Sequence, residues 1–164
     1  MTLPKDFIDD ISAFLETEEL NEFFHALTDT EQTTCVRMNA SKGMKECDLP
    51  MTDASVEEAP SPIGWNAAEG RYLKKRPNFT TDPLLHAGCY YVQEASSQFI
   101  THVIRTLVNE PATVLDLCAA PGGKSTALLA SLPEGSQLVS NEIDRRRARI
   151  LSENINKWGA TDVS

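Results

Sequence analysis

The stretch Val114–Thr126, read as VLDLCAAPGGKST, constrains this chain more than any other. It opens with an apolar run, Val114, Leu115 and Leu117, the pattern of a short strand buried on both faces of a parallel sheet. Pro121-Gly122-Gly123 then turns the chain, and Leu128, Leu129 and Leu132 give the following segment helical apolar spacing. Strand, glycine turn and helix in that order make a small-molecule pocket at the carboxyl end of the strand. Glycine lets backbone approach a ligand closely, and the first amides of a helix have no partner within it.

Two chemistries compete for such a loop. Gly123-Lys124-Ser125 is the ending of a Walker A phosphate loop, but that motif needs a glycine where this chain has Cys118. The loop is too poor in glycine to wrap a triphosphate. Downstream, Gln137–Ser140 (QLVS) reads as the next buried strand, closed by Asn141-Glu142. Glu142 falls about 20 residues after the glycines, where nucleotide-type folds place a carboxylate for ribose hydroxyls. A phosphate loop has no use for that carboxylate; an adenosine cofactor does.

At these residues a family resemblance emerges. DLCAAPGGKST, preceded by YYVQEASSQF and followed by VSNEIDRRRARILSENINKWGA, resembles the RsmB/Nop/Sun-type RNA cytosine-5 methyltransferases, in particular their bacterial ribosomal-RNA branch. The likeness covers Pro83 to Gly159 and extends more thinly to RMNASKG and SPIGWNAAEG. It implies an α/β chain: the start of a Rossmann-like S-adenosylmethionine-dependent methyltransferase fold, with its sheet incomplete, preceded by a small α+β accessory domain. The implied division is residues 1–82, an RNA-binding accessory domain, and 83–164, an incomplete methyltransferase domain. S-adenosylmethionine is the implied cofactor, bound by Cys118, Ala119, Ala120, Pro121, Gly122, Gly123 and Lys124, with Glu142 as the ribose carboxylate. Arg147 matches a family arginine that braces the cofactor end. RNA is the implied partner, ribosomal RNA ahead of transfer RNA.

The resemblance also says what is missing. Carbon 5 of cytosine is a poor nucleophile, and the family activates it by adding a cysteine thiolate to carbon 6, with a second cysteine aiding elimination. Both cysteines belong to motifs beyond the second helix, one in an Asp-Ala-Pro-Cys context, and neither motif occurs here. Cys118 belongs to the cofactor loop. No catalytic residue is assigned, and the chain reads as an amino-terminal fragment of an RNA methyltransferase, inactive alone. The alternative is a non-catalytic RNA- or cofactor-binding module.

Charge and cysteine usage narrow the class. A formal net charge of −9 argues against a general nucleic-acid binder, since phosphate contacts need Lys and Arg. Local basic runs at Arg71–Arg76 and Arg145–Arg149 leave room for a basic RNA face. There is no signal-peptide pattern and no span of about 20 apolar residues, so the expectation is a cytoplasmic protein without a membrane partner. Cys35, Cys47, Cys89 and Cys118 show no CxxC pairing and no histidine at ligand spacing, which predicts reduced thiols and no metal.

The remaining segments read as follows. Residues 1–27 form two amphipathic helices, with Phe7, Ile8, Ile11, Phe14 and Leu15 on one stripe and Leu20, Phe23, Phe24 and Leu27 on the next. Thr33–Asn39 alternates like a strand and carries the Arg37-x-Asn39 pattern that the resemblance assigns to the accessory domain. Lys45–Ser61 is a polar surface loop. Trp65–Phe79 interleaves aromatics with Lys74-Lys75-Arg76, which suits either RNA contact or a solvated hairpin with a packed Trp. A helix over Glu94–Val108 has the apolar stripe Phe99, Ile100, Val103, Ile104, Leu107 and Val108, with Gln93-Glu94 and Ser96-Ser97 as capping candidates. Asp144–Trp158 is a further helix burying Ala148, Leu151, Ile155 and Trp158, with Gly159 as its cap. A third strand is expected to begin at Asp162-Val163-Ser164.

Overall fold

The computed structural model describes residues 3–28, 33–50 and 60–159. The third strand expected at Asp162–Ser164 and most of the loop expected between Lys45 and Ser61 lie outside these residues. Met1–Gln32 and Thr33–Ser164 form two separate compact units.

In the first unit, α1 (Lys5–Ser12) and α2 (Thr17–Thr28) occupy the two segments whose periodicity predicts helices. Their apolar stripes meet through Phe7 and Phe23, whose ring centroids lie 6.4 Å apart, and Phe24 packs edge-on against Phe23 at 5.8 Å. Neither helix encloses any residue fully. Two short helices have too little apolar surface between them to make a closed core.

The second unit begins with an antiparallel sheet of β1 (Thr34–Met38), β2 (Ser61–Pro62), β3 (Gly70–Leu73) and β4 (Tyr90–Val92), in the order β2-β3-β1-β4. β1 is central, with Val36 opposite both Arg71 and Val92, and is buried at every position. Val36, Met38, Leu49, Leu73, Phe79 and Tyr90 form its core. The short helix α3 (Pro83–His86) leads into β4. Asp82 caps it by accepting the Leu84 amide, and Pro83 supplies a pre-set φ in the first turn. The other Asp82 oxygen accepts the Tyr90 hydroxyl at 2.5 Å.

α4 (Ala95–Leu107) follows where a helix is expected, but with a different face inward. Its fully buried residues are Gln98 and Thr101, whereas Phe99 is 48% exposed and Leu107 is exposed as well. The reason is hydrogen bonding. Gln98 donates to the carbonyls of Val36 and Gln93 and accepts from Asn66, tying the helix to the sheet through an amide that apolar periodicity cannot reveal. Glu94 precedes the helix without capping it.

The chain then makes β5 (Thr113–Asp116), α5 (Gly123–Leu129), β6 (Gln137–Ser140) and α6 (Arg145–Trp158). β5 and β6 pair in parallel from Thr113↔Gln137 to Asp116↔Ser140. The expectation of a strand buried on both faces fails for β5. Its burial alternates, and Leu115 and, just past its end, Leu117 are 56% and 65% exposed, so one face is covered and the other open. α6 matches its sequence signals closely. Asp144 accepts the amides of Arg146 and Arg147, Leu151, Ile155 and Trp158 are buried, and Gly159 ends the helix at φ +85°. No described helix is long and apolar enough to cross a membrane.

Candidate cofactor site

The loop between β5 and α5 is held by its carbonyl groups. Asn141 Nδ2 donates to the Leu117 carbonyl, Arg147 Nη2 to that of Ala120 at 2.7 Å and Asn154 Nδ2 to that of Pro121 at 2.8 Å. The Gly122 carbonyl accepts from the Thr126 amide and hydroxyl, and the Gly123 carbonyl from Gln93 Nε2 at 3.1 Å. A trans peptide sets its N–H opposite its C=O, so fixing these carbonyls also fixes the direction of the amides of Gly123 and Lys124. The loop is held by α6 on one side and by Gln93, just past β4, on the other.

Within it, Cys118, Pro121 and Lys124 are exposed, while Ala119 and Ala120 are buried in a small core with Leu151 and Ile155. Both backbone groups of Ala119 and the Ala120 carbonyl are taken up by hydrogen bonds within the protein. The glycines have a different reason from the one their sequence suggests. A Cβ on Gly122 would point at Leu151 and Asn154, and one on Gly123 at Tyr91 and Gln93. Both directions lead into the protein, so glycine here permits tight internal packing and, at Gly122, a φ of +111°. Neither glycine clears a ligand's approach path by lacking a side chain.

Glu142 follows β6 and sits beside this loop. Its side chain is 4% exposed. One carboxylate oxygen accepts the Asp144 amide at 3.1 Å, and Arg147 Nη1 lies 3.5 Å from the other, which has no hydrogen-bond partner. Arg147 thus joins the carboxylate to the Ala120 carbonyl, linking the two separate parts of the expected site. Ile143, next in sequence, is 95% exposed. Asp116, Ser125 and Ser140 connect the ends of β5 and β6 to α5, since Ser125 donates to Asp116 at 2.8 Å and Ser140 to Ser125 at 3.2 Å. Sequence reading misses this trio, because it does not follow from the glycine spacing.

Arg37 and Asn39 are buried deep in the fold. Arg37, 0% exposed, lies against the loop, with its guanidinium carbon 4.4 Å from the Trp158 ring centroid. Burial pushes it down to about 10, opposed by the nearby Glu69 charge. Burial likewise raises the neighbouring Tyr91 phenol, with Arg37 opposing. Asn39 donates to the carbonyls of Gly88 and Trp158, at 2.9 and 2.8 Å. The aromatic and basic segment behaves differently. Trp65 donates its indole N–H to Ala95 and packs edge-on against Phe99, Phe79 enters the core, and Lys74, Lys75 and Arg76 remain exposed.

A parallel βαβ unit with a clamped glycine loop and a carboxylate after its second strand defines the start of a Rossmann-like methyltransferase domain, and solved structures agree on the fold. The chain superposes on PH0851 with a TM-score of 0.80 at 24% identity, over 98% of this chain and 35% of that one. It also matches a methyltransferase homologue from Pyrococcus horikoshii (TM-score 0.67, 22% identity, 99% of this chain and 56% of that one). NSun6 of the same organism, solved with SFG, gives a TM-score of 0.65 at 14% identity, over 98% and 64% of the two chains. At the sequence level, residues 3–95 match the family described as the N-terminal domain of 16S rRNA methyltransferase RsmF, and residues 104–164 match 16S rRNA methyltransferase RsmB/F. The chain belongs to the family defined by the N-terminal domain of 16S rRNA methyltransferase RsmF. Among curated relatives, ribosomal RNA small subunit methyltransferase F of Pectobacterium atrosepticum is 28% identical over 99% of this chain and 34% of its own length. Its counterpart from Enterobacter sp. is 31% identical over 63% of this chain and 22% of its own. The chain spans about a third of the length of the relatives it matches from end to end.

Proposed function

We propose that this chain carries the accessory region and the cofactor site of an S-adenosylmethionine-dependent RNA cytosine-5 methyltransferase acting on ribosomal RNA in the cytoplasm. The names of its relatives support the substrate class. The observation that carries the cofactor reading is Glu142: a buried carboxylate with one oxygen that accepts no hydrogen bond, ion-paired with Arg147 and through it tied to the glycine loop. A covered carboxylate oxygen without a hydrogen bond is costly unless a donor reaches it, and a ribose hydroxyl is such a donor. S-adenosylmethionine, when bound, supplies an electrophilic methyl group. Cys118–Lys124 would hold it through backbone, Glu142 would orient its ribose, and the exposed Ile143 suits the face of a purine. Residues 1–82 serve as the accessory domain and 83–164 as the beginning of the methyltransferase domain, with β4 lent to the accessory sheet. The exposed Lys74-Lys75-Arg76 run is the proposed RNA-facing cation cluster.

The test is a titration of wild type, Glu142→Ala and Glu142→Gln with S-adenosylmethionine, S-adenosylhomocysteine and ATP. Charge-assisted hydrogen bonds are worth roughly 1.5–3 kcal/mol each, so Glu142→Ala should weaken both adenosyl ligands about ten- to a thousandfold. Glu142→Gln should lose less, because the amide retains an acceptor. Unchanged adenosyl affinity in Glu142→Ala, or tight ATP binding, would overturn the assignment.

A further inference from the structure

We propose that Arg37 is a positioning residue for the glycine loop, which makes the accessory sheet a working part of the cofactor site. The inference rests on the cofactor reading given above. Arg37 is carried on β1, yet three of its four hydrogen bonds end on the loop and α5. Nη2 donates to Thr126 Oγ1 at 2.7 Å and to the Gly123 carbonyl at 3.4 Å, and Nη1 donates to the Thr126 carbonyl at 3.3 Å. The fourth, from Nε at 3.0 Å, goes to Gln93 Oε1, and Gln93 in turn donates to the Gly123 carbonyl. The Thr126 hydroxyl passes the effect on: it accepts from the guanidinium and donates to the Gly122 carbonyl at 2.8 Å. Both glycine carbonyls are therefore oriented by one side chain from the accessory sheet.

The chemistry of the group supports a positioning role. None of its hydrogen bonds goes to a carboxylate; its acceptors are two carbonyls, a hydroxyl and an amide oxygen. Even with the Glu69 charge nearby, burying a cation whose hydrogen bonds all go to neutral acceptors is costly, where an apolar residue would merely pack. What the guanidinium supplies instead is a planar fork with fixed donor directions, and Trp158 lying 4.4 Å below it keeps that plane from turning. A lysine ammonium, with one nitrogen, cannot hold the Thr126 hydroxyl, the Thr126 carbonyl and Gln93 in the same geometry.

The experiment uses the intact protein and reads thermal stability and S-adenosylmethionine affinity separately. Arg37→Gln and Arg37→Lys should each weaken S-adenosylmethionine at least tenfold at a temperature where they remain folded. Val36→Ala, which opens the accessory core beside Arg37 without touching the loop, should lower stability and keep wild-type affinity. Thr126→Val should weaken the cofactor, and Thr126→Ser should recover most of that loss by restoring the hydroxyl; this pair decides the matter if the Arg37 variants do not fold. Wild-type affinity in folded Arg37→Gln and Thr126→Val would overturn the inference, as would a Val36→Ala loss equal to theirs. Glu142→Ala separates the two readings. If it weakens S-adenosylmethionine while the Arg37 and Thr126 variants do not, only the positioning role fails; if it has no effect, the cofactor reading itself fails.

Discussion

β1 and β5 are both short strands, and they differ sharply in burial. β1, Thr34–Met38, is enclosed at every position, including its arginine. β5, Thr113–Asp116, has the more apolar sequence neighbourhood but leaves Leu115 and Leu117 more than half exposed. The difference lies in what surrounds each strand. β1 has β3 and β4 on its two edges, a core under one face and α5 with Trp158 against Arg37 on the other. β5 pairs with β6 alone among the described residues. Apolar composition says that a strand could be buried; neighbours decide whether it is.

The largest expected effect comes where the segment between α3 and β4 meets α6. Gly88 lies between α3 and β4 at φ +69°, and a Cβ there would overlap the Lys157 carbonyl oxygen, a backbone atom with no easy way to yield. Gly88→Ala should cost about 3 kcal/mol or more in denaturant unfolding, from overpacking and a left-handed backbone together. A cost below about 1 kcal/mol would mean that the close approach is not maintained, and β1 would lose part of its enclosure.

The strands themselves can be compared directly. Val36→Ala should lower stability by about 2 kcal/mol, because it opens a closed core. Leu115→Ala should change it by no more than about 0.5 kcal/mol, since most of that side chain already meets water. Chemical denaturation of both variants gives the two numbers on one scale. Equal costs would erase the contrast between the sheets.

The smallest effect is a pH dependence confined to the enclosed sheet. Burial, reinforced by the hydrogen bond to Asp82, pushes the Tyr90 phenol well above its ordinary value of 10.0. A raised folded-state value means that the unfolded chain ionises first. Tyr90 therefore contributes its full stability below pH 10 and loses it as pH rises above that. The loss reaches about 1.4 kcal/mol at pH 11, one unit above the unfolded value, since each pKa unit is worth about 1.36 kcal/mol. Tyr90→Phe should flatten that alkaline fall while starting from a lower stability at neutral pH. Identical slopes between pH 9 and 11 in wild type and variant would show that the phenol is not held in a closed core.

Much of the fold was legible in local patterns. The strand–loop–helix unit, Glu142 after the second strand, and α6 with its Asp144 and Gly159 caps all depend on residues a few positions apart, and the structure places these elements as expected. Arg147 was legible through the family resemblance, and it does bridge Glu142 and the loop. The inner face of α4 was not legible, because it is chosen by the hydrogen bonds of Gln98 rather than by apolar spacing. The close approach at Gly88 was hidden as well, since its partner lies on α6.

By itself, the sequence determined α1, α2, α4, α5, α6, β1, β5 and β6 and where the glycine loop falls, but not β2, β3, α3 or β4. Those choices are made by interactions within a turn or two of the chain: caps, side-chain periodicity and the backbone freedom of glycine. Only the tertiary structure decided that the loop's glycines face inward and that Arg37, expected in an accessory domain, reaches Thr126 across 89 residues of sequence. A charged side chain reads as a surface group until the acceptors that satisfy it are brought together. Those acceptors belong to α5, which begins at Gly123 of the loop, and to Gln93 just past β4, which meet only when the sheets and helices pack.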